Sequence, residues 1–139
     1  MQFRNERITA AILISAPPFY GEKCYLQILS EVSIPTLHVT TLNDIIRIPG
    51  FGSGLKDRLK VFEAMGGPHK TLAVYKQGSH TVFTEQRYFD SLEIATEVKT
   101  ATEGLSLAFL DQVFGRSASL EDWGQQNSAL FSQFVSATA

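Results

Sequence analysis

The chain has 139 residues, a formal net charge of -2, 44% apolar residues and 19% charged residues. That composition is globular rather than disordered, and the length suits a single domain, 1–139, with one core. A slightly acidic chain without a basic run gives no electrostatic case for nucleic acid. The longest apolar stretch, Ile8 to Phe19, is too broken by Thr9, Ser15 and two prolines to span a bilayer.

The start, Met1-Gln2-Phe3-Arg4-Asn5-Glu6-Arg7, does not read as a secretory leader. Cys24 is alone, so no intrachain disulfide is expected and the compartment stays open, with the cytoplasm as the favoured expectation. A lone cysteine of this kind is expected to be an inert, partly buried small hydrophobe.

Ile8 to Ser15 is a short apolar run with β-branched residues and no polar alternation, which predicts a strand covered on both faces. Pro17-Pro18 forbids an immediate helix, and Lys23 to Glu31 has room for about two helical turns. Pro35 opens a second strand, Thr36 to Thr41, which runs into the loop Asn43-Asp44. The stretch from Ile48 to Gly54 is a glycine-rich bend. Leu55 to Met65 places Leu55, Leu59 and Phe62 at helical spacing, with Lys56, Asp57, Arg58 and Lys60 as the polar face, and Gly66-Gly67-Pro68 stops the helix.

Thr71 to Tyr75 is a third strand, followed by the loop Gly78-Ser79-His80 and an aromatic loop from Thr81 to Ser91. Leu92 to Phe114 is a long helical pattern, weakened at its start by Thr96, Thr100 and Gly104. The tail reads as a second amphipathic piece carrying Leu120, Trp123, Leu130, Phe131 and Phe134. Strands separated by helices predict an α/β fold with about three parallel strands and flanking helices.

The chemistry-bearing residues are Asp44 and His80. Each sits just past a strand end, and an acid with a histidine in that position is how an α/β enzyme holds a general base in the right tautomer. A nucleophile is missing. Ser53, in Gly52-Ser53-Gly54, lies nearest to an elbow string but is flanked by Phe51 and Leu55 and follows the acid, so it is expected to be a flexible cap of the Leu55 helix. His38 reads as a packed core histidine with one satisfied nitrogen and His69 as an exposed turn residue. The three histidines lack metal-ligand spacing, and the glycines match no phosphate-binding string, so no metal or cofactor is expected.

Three segments carry a resemblance: Asn5 to Pro17, Ile34 to Asp44, and Gly78-Ser79-His80-Thr81-Val82-Phe83. Taken in order they resemble the carboxy-terminal half of an α/β-hydrolase, closest to the dienelactone-hydrolase-like and polyester-hydrolase-like branches. The resemblance implies a partial α/β-hydrolase fold, with Asp44 as the acid and His80 as the histidine of a triad whose nucleophile elbow is absent from this chain. It implies an esterase or lactonase acting on a small-molecule ester when completed by an amino-terminal half, and an isolated chain without activity. The alternative is a non-catalytic oligomeric or binding protein derived from half a hydrolase fold.

A three-stranded parallel sheet would leave one strand edge open. Ile8–Ser15 carries no lysine or proline to blunt such an edge, so the chain is expected to form a homo-oligomer through it, or to meet the missing amino-terminal half there. The aromatic tail around Trp123 and Phe134 is expected to join that interface.

Overall fold

The computed structural model describes residues 5–18, 21–86, 88–116 and 119–136. Its elements in chain order are β1 (Ala11–Ile14), α1 (Tyr25–Ser30), β2 (Thr36–Asn43), β3 (Ile46–Ile48), β4 (Phe51–Ser53), α2 (Leu55–Ala64), β5 (Lys70–Ser79), α3 (Leu92–Val113), α4 (Leu120–Gln126) and β6 (Phe131–Ser136). The main sheet has the order β1-β2-β5-β6, and β3 and β4 form a separate hairpin. The pairs β1–β2 and β2–β5 are parallel, as the alternation of strands and helices predicts, whereas β6 runs antiparallel to β5.

Helices cover both faces of this sheet, so its central strands β2 and β5 are buried over most of their length, the threonines of β2 included. Leu37, Val39, Ala73 and Tyr75 form the core with Val98, Leu105 and Phe109 of α3. On the opposite face Leu13 packs into a smaller cluster of Leu29 from α1, Val61 from α2 and Met65. His38 turns to this second face, where its ring meets Phe62 of α2 edge-on at 5.3 Å. Its Nε2 lies 3.1 Å from Thr36 Oγ1, so one nitrogen has a partner, as expected.

The helix ends are well made. Ser91 caps α3 by accepting from the Ile94 N–H at 3.2 Å, and Ser119 caps α4 by accepting from the Asp122 N–H at 3.2 Å. At the other end of α2, Lys70 Nζ donates to the carbonyls of Phe62, Glu63 and Met65 at 2.9, 3.2 and 2.9 Å. A cation on the last carbonyls of a helix satisfies orphan acceptors and opposes the negative end of the dipole. Gly104 is not a weakness in α3. A Cβ there would stand 3.2 Å from the Trp123 indole nitrogen, so the glycine makes room for α4.

Three expectations need correcting. The tail is a helix followed by a strand, because β5 offers an open edge that Phe131–Ser136 closes. Phe131 stacks 4.7 Å from Tyr75 and 5.3 Å from Phe134, and Trp123 packs against the same cluster. The aromatic tail therefore packs on this chain's own core. The first strand is shorter than Ile8–Ser15, and as an edge strand it is only partly covered, with Ile14 exposed. Cys24 is exposed, because it precedes a two-turn helix that lies on the surface.

Candidate functional site

The register of β2 against β5 brings the two polar loops together. Pairing runs from Thr36 opposite Lys70 to Thr41 opposite Tyr75, then shifts so that Asn43 stands opposite Ser79. Gly78 takes φ +103 just before that point, a conformation that only glycine adopts cheaply. The next residue along each strand is Asp44 and His80. Both leave the carboxyl end of the parallel strands, where sheets of this class leave a crevice.

His80 Nδ1 lies 2.9 Å from Asp44 Oδ1. Asp44 is 0% exposed, while the His80 side chain is 34% exposed. A buried acid behind a half-exposed imidazole fixes the ring from one side and leaves the other to solvent. With Nδ1 donating to the carboxylate, the lone pair is on Nε2, which makes no hydrogen bond to any described residue.

Asp44 is held by more than His80. Thr40 Oγ1 donates to Oδ2 at 2.7 Å, and Ser15 Oγ donates to the same oxygen. Arg58 Nη2 approaches Oδ1 at 3.2 Å, without the alignment of a directed hydrogen bond, so the contact is chiefly one of charge. Arg58 is itself buried. Its Nη1 donates to Ser53 Oγ and to the Gly54 carbonyl, the latter at 3.1 Å, and Ser53 Oγ donates to Asp57 Oδ2 at 2.8 Å. Ser53 is therefore a fixed link between Arg58 and Asp57, not a flexible cap.

The loop carrying His80 is braced separately. The Ser79 N–H and Oγ donate to the two oxygens of Asp90 at 2.8 and 2.6 Å. This two-point clamp ties the segment before α3 to the residue preceding the histidine, and Phe89, next to Asp90, lines the opening in front of His80.

Three members of the site were not visible as such in the sequence: Ser15, Thr40 and Arg58. Ser15 follows β1 as Asp44 follows β2, and it is the one described non-glycine residue with positive φ, at +52. Its N–H donates to the Val39 carbonyl at 2.7 Å, which sets it beside Thr40 and Asp44. Its Oγ also lies 2.7 Å from His80 Nδ1, the nitrogen turned toward the carboxylate rather than the one facing outward. In this arrangement Ser15 orients the acid and is not poised to be deprotonated by Nε2.

The other expected positions are apart from this cluster. His38 lies on the α2 face of the sheet, where burial first and the charge of Lys70 second push its imidazole down from 6.5 to about 4. His69 is exposed before β5. Among the described residues, no three His, Cys, Asp or Glu side chains gather as a metal-binding group. Compared with known proteins, the chain matches no family model, and no curated sequence matches it significantly.

Proposed function

We propose that Asp44 and His80 are the acid and general base of an ester-hydrolysing site of the α/β-hydrolase kind, completed by a nucleophile from a segment outside this chain. The observation that carries this reading is the Nδ1–Asp44 contact of 2.9 Å at the ends of adjacent parallel strands, with Nε2 left to an open cleft. In such a site Nε2 would take the proton of the attacking hydroxyl and return it to the leaving alcohol, while Asp44 would stabilise the imidazolium between the two transfers. Arg58, Thr40 and Ser15 would keep the carboxylate from turning away.

The isolated chain is expected to show negligible turnover of a short-chain p-nitrophenyl ester, since the members of a triad act as a unit. Co-expression with an upstream coding segment that contains a Gly-x-Ser-x-Gly elbow should give esterase activity that His80→Gln abolishes. Co-expressed partners that remain inactive would leave the non-catalytic reading, a binding or oligomeric protein on half a hydrolase fold.

One observation favours a second reading, in which Ser15 is itself the nucleophile: it takes φ +52 at a strand end, as a strained elbow serine does. A fluorophosphonate probe separates the two. No adduct is expected on the isolated chain, because Ser15 Oγ is engaged with Asp44. A mass adduct on Ser15 that disappears in His80→Gln would establish the second reading.

A further inference from the structure

In front of His80 lies an open cleft of about 490 Å³, lined by Asn43, Ile45, Ile46, Arg47, Ser79, His80, Thr81 and Phe89. That volume suits a small organic ligand, and the wall has the usual make-up of such a site, apolar surface with a few polar groups. Ile45 and Phe89 are strongly exposed, Phe89 at 83%. Ile48 and Tyr88, the chain neighbours of Arg47 and Phe89, are exposed as well.

Arg47 is the unusual member. Arg7 bonds Asn5, Arg58 faces Asp44, and Arg116 pairs with Asp111, whereas Arg47 has no polar side-chain partner among the described residues. Its place in the β3–β4 hairpin explains why. It stands directly opposite Gly52, so no side chain faces it across the hairpin. An unpaired guanidinium on the wall of an apolar cleft is a planar, two-pronged donor suited to a carboxylate.

We propose that this cleft binds a small apolar carboxylate, with Ile45, Ile46 and Phe89 against its hydrocarbon part and Arg47 on its anionic group. The inference rests on reading His80 as the base that faces the cleft, and it makes the substrate class an apolar ester that also carries a carboxylate. Phe89 directly precedes the clamped Asp90, so its backbone is anchored beside the cleft before the ligand arrives.

Binding can be measured without turnover. In an NMR titration of the full chain, 4-phenylbutyrate should shift the resonances of Ile45, Arg47, His80 and Phe89. It should bind roughly tenfold more tightly than the isosteric neutral 4-phenylbutyramide. Arg47→Gln should bring acid and amide to equal affinity, Phe89→Ala should weaken both, and added salt should shrink the acid's advantage. Both residues are exposed, so these variants should fold. Equal binding of acid and amide by the unmodified chain, a preference that survives Arg47→Gln, or no shifts at the cleft would overturn the proposal. A carboxylate preference without esterase activity in the co-expressed complex would leave this subsite standing and remove only the hydrolase reading. Esterase activity without the preference would do the reverse.

Discussion

Asp44 sits at 0% exposure against an Arg58 guanidinium at 4% exposure, and a pair so buried is defined by what happens when one member is lost. Removing one charge leaves the other desolvated and uncompensated, a cost of about 3–5 kcal/mol. Asp44→Asn should therefore lower stability by that order in urea denaturation. The double variant Asp44→Asn with Arg58→Met should regain part of the loss, because no buried charge remains. A double variant no more stable than Asp44→Asn would show that Arg58 is not carried by Asp44. His38 gives a pH signature from the opposite face. Its folded pKa of about 4 lies below 6.5, so folding favours the neutral ring. That contribution is fully present above pH 6.5 and is lost as the pH falls toward 4, amounting to about 3 kcal/mol across the window. In urea midpoints measured over that range, His38→Gln should show a shallower loss of stability than the unmodified chain. Identical slopes would mean that His38 does not titrate with folding.

At the scale of elements, α1 has only six residues and no side-chain cap, so it is too short to hold itself together. Leu29 packs it on Val61 of α2 and on Met65, and the turn just past α2 holds its end. The Gly66 N–H donates to the Leu29 carbonyl at 3.0 Å, and a Cβ on Gly66 would stand 2.2 Å from the Ser30 carbonyl oxygen and 2.6 Å from that of Val32. These are backbone atoms and cannot swing aside. Gly66→Ala should cost about 3 kcal/mol, at the upper end of the range for forced overpacking and backbone displacement. It should also raise amide exchange across Tyr25–Ser30. Gly52→Ala is the matched control: its nearest neighbour would be 4.0 Å away, and its stability should stay within about 0.5 kcal/mol. A Gly66→Ala protein as stable as the control would show that α1 and α2 can separate freely.

The whole molecule closes one edge of its sheet and leaves the other open. β6 covers β5, but the outer side of β1 pairs with no strand among the described residues. Ile8 and Ile14 are exposed along it, and Leu26 and Ile28 of α1 add exposed apolar surface nearby in the chain. An uncharged open edge is a template for strand addition. We expect a two-fold dimer through β1 when the chain is alone, since a closed two-fold pairing lets one surface cover itself. Light scattering after size-exclusion chromatography should report twice the chain mass at micromolar concentration, and Ile14→Lys should shift it to the monomer. A stable unmodified monomer would remove this expectation.

Most of the element order was legible in the sequence, because apolar runs bounded by proline, glycine and polar loops mark strands and helices locally. Asp44 and His80 were legible for the same reason, each being the polar residue just past a β-rich run. Arg58 was not. On the helical pattern it reads as part of a solvated face with Lys56, Asp57 and Lys60, and only the packing of α2 beside the end of β2 puts a buried carboxylate within its reach. Ser15 carries no local mark either, since serine after a strand is commonplace and its significance lies in what two distant strands place against it. The tail shows the limit most plainly. Leu130, Phe131 and Phe134 satisfy a helical spacing as well as a strand, and the open edge of β5, more than fifty residues away, decided between them. Local patterning determined where the chain turns and which residues arrive at strand ends. Contacts between segments far apart in the chain decided which side chains meet there, because burial and charge pairing depend on the assembled surfaces rather than on any single stretch.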